Sequence, residues 1–220
     1  MLSCATEGRF KQIVSTVDPN INDEITRLMA QELQSRYSEP QRAYHTPDHI
    51  AYMLNALDLA GDPVHPTIEL AIWFHDCVYD PIKGGPWNEK ESIRVWEDFA
   101  DSTQSRAMAD LKPSVSALIQ ATILHQLPDV LPEGLNASQV AVFLDLDMGI
   151  LGESPEVYAK YAQQIRQEYS HYSAEAYRLG RAKVLESFLL HERIFLGPGK
   201  EAMEQQAREN IRGEIIGLTV

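Results

Sequence analysis

Cysteine is nearly absent from this chain. The two present, Cys4 and Cys77, are too few and too far apart for a disulfide framework, so the fold must rest on its own core and a reducing compartment suits it. No uncharged apolar run reaches the roughly eighteen residues of a membrane span, and the opening MLSCATEGRFKQIV has no long apolar stretch of the signal-peptide kind. A cytoplasmic location is the simplest reading. Basic residues are also scarce: nineteen Lys and Arg stand against thirty-two Asp and Glu, a net charge of -13. That field disfavours nucleic-acid polymers and anionic membranes as partners. A small phosphorylated molecule stays open, because its site needs only a few Arg or Lys and a cation. No segment rich in Pro, Gly or Ser separates two halves, and there is no internal repeat, so residues 1–220 read as one domain.

Alternating β-type runs are likewise rare, whereas apolar residues recur every three or four positions. The fold class expected is all-α, a compact helical bundle. The periodicity predicts nine helices, at about 20–37, 47–60, 66–80, 88–100, 113–126, 138–151, 154–171, 174–195 and 200–217. The core is expected within about 20–195, with an amphipathic C-terminal helix at about 200–217 that leaves a homo-oligomer open. Thr46-Pro47 reads as an N-cap followed by Pro at the first helical position, which puts His45 just outside that helix and His49 in its first turn. Gly61-Asp62-Pro63 reads as the end of the same helix.

Several segments carry polar groups where a core should be apolar. LAIWFHDCVYD sets His75 and Asp76 side by side in what reads as the middle of an apolar helix. A buried, unpaired carboxylate is costly or neutralised, so Asp76 needs a cation or strong donors. VAVFLDLDMGIL interrupts another apolar helix with Asp145 and Asp147, whose spacing points them about 200° apart. One can face the same site as Asp76, and the other then pairs with an Arg or caps a neighbour. YHTPDH supplies His45 and His49, and LIQATILH supplies His125 at a helix end. Each of these has an ordinary structural reading, such as a hydrogen-bonded core histidine. The ordered set is what points to a metal, and mixed imidazole and carboxylate donors suit Zn or a first-row transition metal better than Ca.

The order His49, His75-Asp76, Asp147 resembles the metal-binding signature of the HD superfamily of metal-dependent phosphohydrolases. RAYHTPDHI, LAIWFHDCVYDP, NEKES, ATILH, FLDLDMGILG, YAKYAQQIRQEY and GRAKVLESFL are similar to segments of a group of small HD phosphohydrolases, over roughly residues 20–195. The resemblance implies an all-α HD-domain bundle. It implies one or two divalent metal ions (Mn, Fe, Co, Ni or Zn, with Mg also open) on His49, His75, Asp76 and Asp147, the last favoured over Asp145. The Y-H-x-x-x-H spacing of Tyr44, His45 and His49 is also that of cyclic nucleotide phosphodiesterases, which implies His45 as proton donor. His125 matches a position that in some members meets a second metal or the substrate phosphate.

The activity implied is hydrolysis of a small phosphate ester, a nucleotide or related monoester or diester, by a metal-activated water. Phosphate is best gripped by Arg, and the candidates are Arg42, Arg166 and Arg181. Arg166 and Arg181 have the alternative of pairing with Glu168 or Asp145. Glu89 either orients the attacking water or is an ordinary first-turn acid. Tyr158, Tyr161, Tyr169, Tyr172 and Tyr177 read as core, with one or two available to line a base pocket. An HD-type di-iron oxygenase and a non-catalytic nucleotide-binding regulatory module are the other classes open.

Overall fold

The computed structural model describes residues 4–59 and 65–219, with side chains from residue 8 onward in the first stretch. Among the described residues it contains ten α-helices and no strand. They are α1 (Cys4–Val17), α2 (Asp23–Tyr37), α3 (Pro47–Leu59), α4 (Pro66–Phe74), α5 (Trp87–Ser102), α6 (Arg106–Ala121), α7 (Ala137–Asp147), α8 (Pro155–Glu168), α9 (Ala174–Leu190) and α10 (Glu201–Thr219), with a short 3₁₀ helix, Met148–Gly152, after α7. No described helix is long and apolar enough to cross a membrane. The expected stop at Gly61-Asp62-Pro63 and the side chain of Cys4 lie outside the described residues, and Cys77 is a buried free thiol.

The all-α expectation holds, with three corrections. The first is α1, which was not anticipated although Phe10, Ile13 and Val14 carry a helical period. These three are buried, and Phe10 packs its ring on Trp73, Phe74 and Phe99 at centroid distances of 5.3, 6.2 and 5.8 Å. Arg9 fastens the same helix to Glu69 at 2.9 Å and Asp58 at 2.7 Å.

The second correction concerns His75 and Asp76. They stand at the C-terminal end of α4 rather than mid-helix, because the carbonyls that would continue the helix are taken by other partners. Tyr37 Oη donates to Trp73 O at 3.0 Å, and the Arg42 guanidinium donates to Asp76 O at 2.8 Å and Cys77 O at 3.1 Å. From α5, Ser92 Oγ accepts from Val78 N at 3.1 Å and Asn88 Oδ1 from Asp80 N at 2.9 Å. The third correction is α6, which begins at Arg106, capped by Ser105 through Met108 N at 3.3 Å. Pro113, read as a helix start, lies inside it. The full burial of Val115, Leu118 and Ile119 outweighs the backbone hydrogen bond that the proline gives up.

Two hydrophobic clusters result. The larger takes its side chains from α1 to α7, the smaller from the 3₁₀ helix, α8, α9, α10 and Ile194-Phe195. The buried core thus runs past both ends of the expected 20–195 range, to Phe10 and to Ile211. The candidate site lies where the two clusters meet.

Candidate metal centre

Three segments far apart in sequence bring four donors together. His49 comes from the first turn of α3, His75 and Asp76 from the end of α4, and Asp147 from the last position of α7. One donor atom from each lies within 4.8 Å of all the others, so this group can hold a metal ion. His49 Nε2 and His75 Nε2 are 3.2 Å apart. Asp76 Oδ2 is 3.2 Å from His75 Nε2, and Asp147 Oδ1 is 3.3 Å from His49 Nε2 and 3.5 Å from His75 Nε2. Bonds of about 2.0–2.2 Å to one ion set neighbouring donors about 2.8–3.6 Å apart and opposed donors about 4.0–4.4 Å apart. Four of the separations match the first range, and His49 Nε2 to Asp76 Oδ2, at 4.0 Å, matches the second.

The surroundings present the correct atoms. His75 Nδ1 lies 3.0 Å from Ile72 O, so its proton is held there and Nε2 offers a lone pair to the site. His49 Nδ1 is buried without a hydrogen-bond partner among the described residues, and its ring rests against Tyr44 at 5.0 Å. Burial pushes the Asp76 carboxyl upward, but the neighbouring His75 more than reverses this and holds it below the usual carboxylate range. Asp147 is lowered in the same way, by His75 and by hydrogen bonds from His125 and His49. Two imidazoles and two carboxylates share a volume that can hold a cation in place of the proton that Asp76 and Asp147 draw onto His75.

Asp147 closes α7 because the chain then tightens into the 3₁₀ helix at Gly149. A Cβ at Gly149 would lie 2.6 Å from Tyr52 Oη, so only glycine lets α3 approach this closely. Asp145 faces the other way. It accepts from Leu196 N at 2.6 Å and Gly197 N at 2.9 Å, the capping role expected for the Asp that does not face the site.

The remaining candidates separate into those at the site and those away from it. His45, Glu89, His125 and Arg181 line one cavity of about 810 Å³ together with Asp76 and Asp147. His45 Nε2 is 3.9 Å from Asp76 Oδ2. His125 Nε2 is 2.9 Å from Asp147 Oδ2, reached from a left-handed backbone with φ 49°, a conformation costly enough in a non-glycine residue to point to function. Glu89 Oε2 is buried without a hydrogen-bond partner. Burial raises the Glu89 carboxyl, and the charges of Asp76 and Asp147 add to the rise.

Arg42 and Arg166 are placed elsewhere. Arg42, expected to grip phosphate, has a fully buried side chain that holds the chain around Asp76 and also donates to His45 O at 3.0 Å. Arg166 donates to Tyr169 O at 2.8 Å and Tyr172 O at 3.3 Å, behind residues that line the cavity, and does not line it itself. Arg181 reaches the cavity wall but pairs with Glu214 at 2.8 Å, not with Glu168 or Asp145. The tyrosines divide. Tyr158, Tyr161 and Tyr177 are buried in the core as expected, with Tyr161 and Tyr177 also reaching the cavity, whereas Tyr169 and Tyr172 line the cavity without joining the buried core.

Glu168 is the functional residue that sequence reasoning missed. Its Oε1 accepts from Ala43 N, Tyr44 N and His45 N at 2.8, 2.8 and 3.0 Å, and its Oε2 from Tyr79 Oη at 2.8 Å, with His45 Nδ1 also 2.8 Å away. The signal was present: Tyr158, Tyr161 and Ile165 form the buried face of α8, and Glu168 continues it at helical spacing. No family model, curated protein or solved structure matches this chain.

The Glu168–His45 pair has a pH signature. Burial alone would raise Glu168, but His45 and the loop amides bring it down to about 2 from 4.5. Burial alone would lower His45 from 6.5, but Glu168 and then Asp76 raise it. The acid's contribution to stability is complete above 4.5 and lost as pH falls toward 2. The base's contribution is complete below 6.5 and lost as pH rises through the higher folded value. The stability advantage of the metal-free wild type over Glu168→Gln should therefore be greatest between these limits and shrink on both sides. Urea unfolding at acidic, weakly acidic and alkaline pH measures it, and a pH-independent difference would rule the pairing out.

Proposed function

We propose that this chain is a metal-dependent hydrolase of a small phosphate ester, of the HD type that its sequence resembles. The observation that carries the reading is the convergence of His49, His75, Asp76 and Asp147 at the floor of a cavity whose wall presents His45. A divalent cation held by those four supplies Lewis acidity at a phosphoryl oxygen and a water nucleophilic at neutral pH.

The protein's own groups divide the rest of the work. His45 donates Nδ1–H to Glu168, which fixes its tautomer and turns Nε2–H toward Asp76 and the cavity, where it protonates the leaving oxygen. Glu168 is a positioning residue, acting through His45 and through the backbone of residues 43–45 that carries it. Glu89, half-buried in the same cavity and with no hydrogen-bond partner for Oε2 among the described residues, receives the proton released by the attacking water. His125 braces Asp147 Oδ2. The aromatic rings across the cavity displace water and so strengthen the charge interactions beneath them.

Phosphate release from simple aryl monoesters and diesters, with Mn supplied, tests the proposal. His45→Ala should keep the metal and lower kcat by about 10²–10⁴-fold, the usual contribution of a positioned acid. The fall should be smaller for esters whose leaving alcohol needs no protonation. Equal losses with good and poor leaving groups would remove His45 from the acid role, and no release by the metal-loaded wild type would refute the hydrolase reading.

A further inference from the structure

The cavity over the metal centre selects its occupant by charge and by shape, and this inference rests on the hydrolase reading of that site. Its volume of about 810 Å³ lies in the range of roughly 300–1,000 Å³ typical of small-molecule sites, far more space than a phosphate ion fills. Among the described residues that line it, the acids are Asp76, Glu89 and Asp147, and Arg181 is the sole Lys or Arg. Arg181 is already balanced, since its Nε and Nη2 donate to the two Glu214 oxygens at 2.8 and 3.1 Å. A divalent cation is likewise balanced by Asp76 and Asp147, and His45 by Glu168 at 2.8 Å. A phosphomonoester brings a charge of about -1.5 to -2 near neutral pH, and any second or third phosphoryl group enters without a counter-charge.

Much of the remaining lining is apolar, including Tyr161, Tyr177, Phe188, Leu124 and Ile150. On α9 the residues Ala176, Gly180 and Val184 recur at four-residue spacing along the cavity. A Cβ at Gly180 would meet nothing within 4 Å, so the small side chains of this face leave room for an occupant along the helix. We propose that the occupant carries a single phosphoryl group on an extended, ring-bearing apolar body that lies along the Ala176, Gly180 and Val184 face of α9.

Binding and turnover test this separately. By titration calorimetry of the metal-loaded protein, 1-naphthylmethylphosphonate should bind at least about tenfold more tightly than methylphosphonate, a difference of about 1.4 kcal/mol. It should also bind more tightly than the imido analogue of ATP. Gly180→Trp should remove that preference while the metal content stays unchanged, and Val184→Trp, exposed on the same face, replaces it if helical content falls. In turnover, 1-naphthyl phosphate should be preferred over glycerol phosphate and ATP. Tighter binding of the triphosphate analogue, equal affinity for the two phosphonates, or indifference to both Trp variants would overturn the proposal. Naphthyl binding that responds to the Trp variants without any phosphate release would preserve the occupant class and sink the hydrolase reading.

Discussion

His75→Ala is expected to keep its helices, to bind divalent metal more than about 100-fold more weakly than the wild type, and to lose metal-dependent turnover with it. His75 is the central donor: its Nε2 lies 3.2 Å from His49 Nε2, 3.2 Å from Asp76 Oδ2 and 3.5 Å from Asp147 Oδ1. Replacing even an outer partner of a metal ligand costs about 10–100-fold in affinity, so removing a ligand outright should cost more. The variant leaves two carboxylates facing each other with one imidazole between them, and its carboxyl groups should titrate higher. Calorimetric titration with Mn and Zn, beside circular dichroism, checks this. Wild-type affinity in a folded His75→Ala protein would place the metal somewhere else.

Arg42→Met should destabilise the protein by about 3–5 kcal/mol, because it strips donors from three carbonyls while keeping most of the buried stem. The guanidinium bonds His45 O, Asp76 O and Cys77 O, and it stacks on the Tyr37 and Tyr79 rings at 5.0 and 5.4 Å. Its contact with the partly exposed Glu39, at 3.3 Å, adds little. For a domain of this size the loss corresponds to roughly 6–20 °C in Tm, and it should be present in metal-free protein because it does not depend on the ion. Metal affinity should also fall, since Arg42 holds the backbone that carries Asp76. A shift of less than a degree or two would mean that water replaces the guanidinium and that Arg42 has no structural role.

Arg42 also shows where the sequence stops being informative. An arginine beside a pair of histidines reads as a phosphate ligand, and nothing local reveals that its donors are consumed by carbonyls, two of them more than thirty positions away. The same long-range contacts hid the end of α4: LAIWFHDCV keeps a helical apolar pattern past Phe74, and only Arg42, Tyr37, Asn88 and Ser92 stop it. Other features were legible. Asp145 and Asp147 had to face opposite ways, because two positions along a helix turn by about 200°, and the structure has one capping Leu196 and Gly197 while the other joins the candidate metal-binding group. The apolar periods of α2 to α10 were readable, as was that of α1, whose Phe10, Ile13 and Val14 went unassigned. Glu168 was recognisable only as an acid on a buried face, and its partners in residues 43–45 come from the fold. Tyr169 and Tyr172, between α8 and α9, read as core because an aromatic side chain does not reveal from sequence whether the surface facing it is protein or cavity.

The most direct test of the account is elemental analysis of the protein purified without chelators, wild type and Asp147→Ala side by side. The wild type should carry about one to two equivalents of a divalent transition metal, and the variant should lose it with its helical content intact. A folded wild type that takes up no divalent ion even when Mn is added would contradict the account, leaving His49, His75, Asp76 and Asp147 as a buried polar network with no ion to hold.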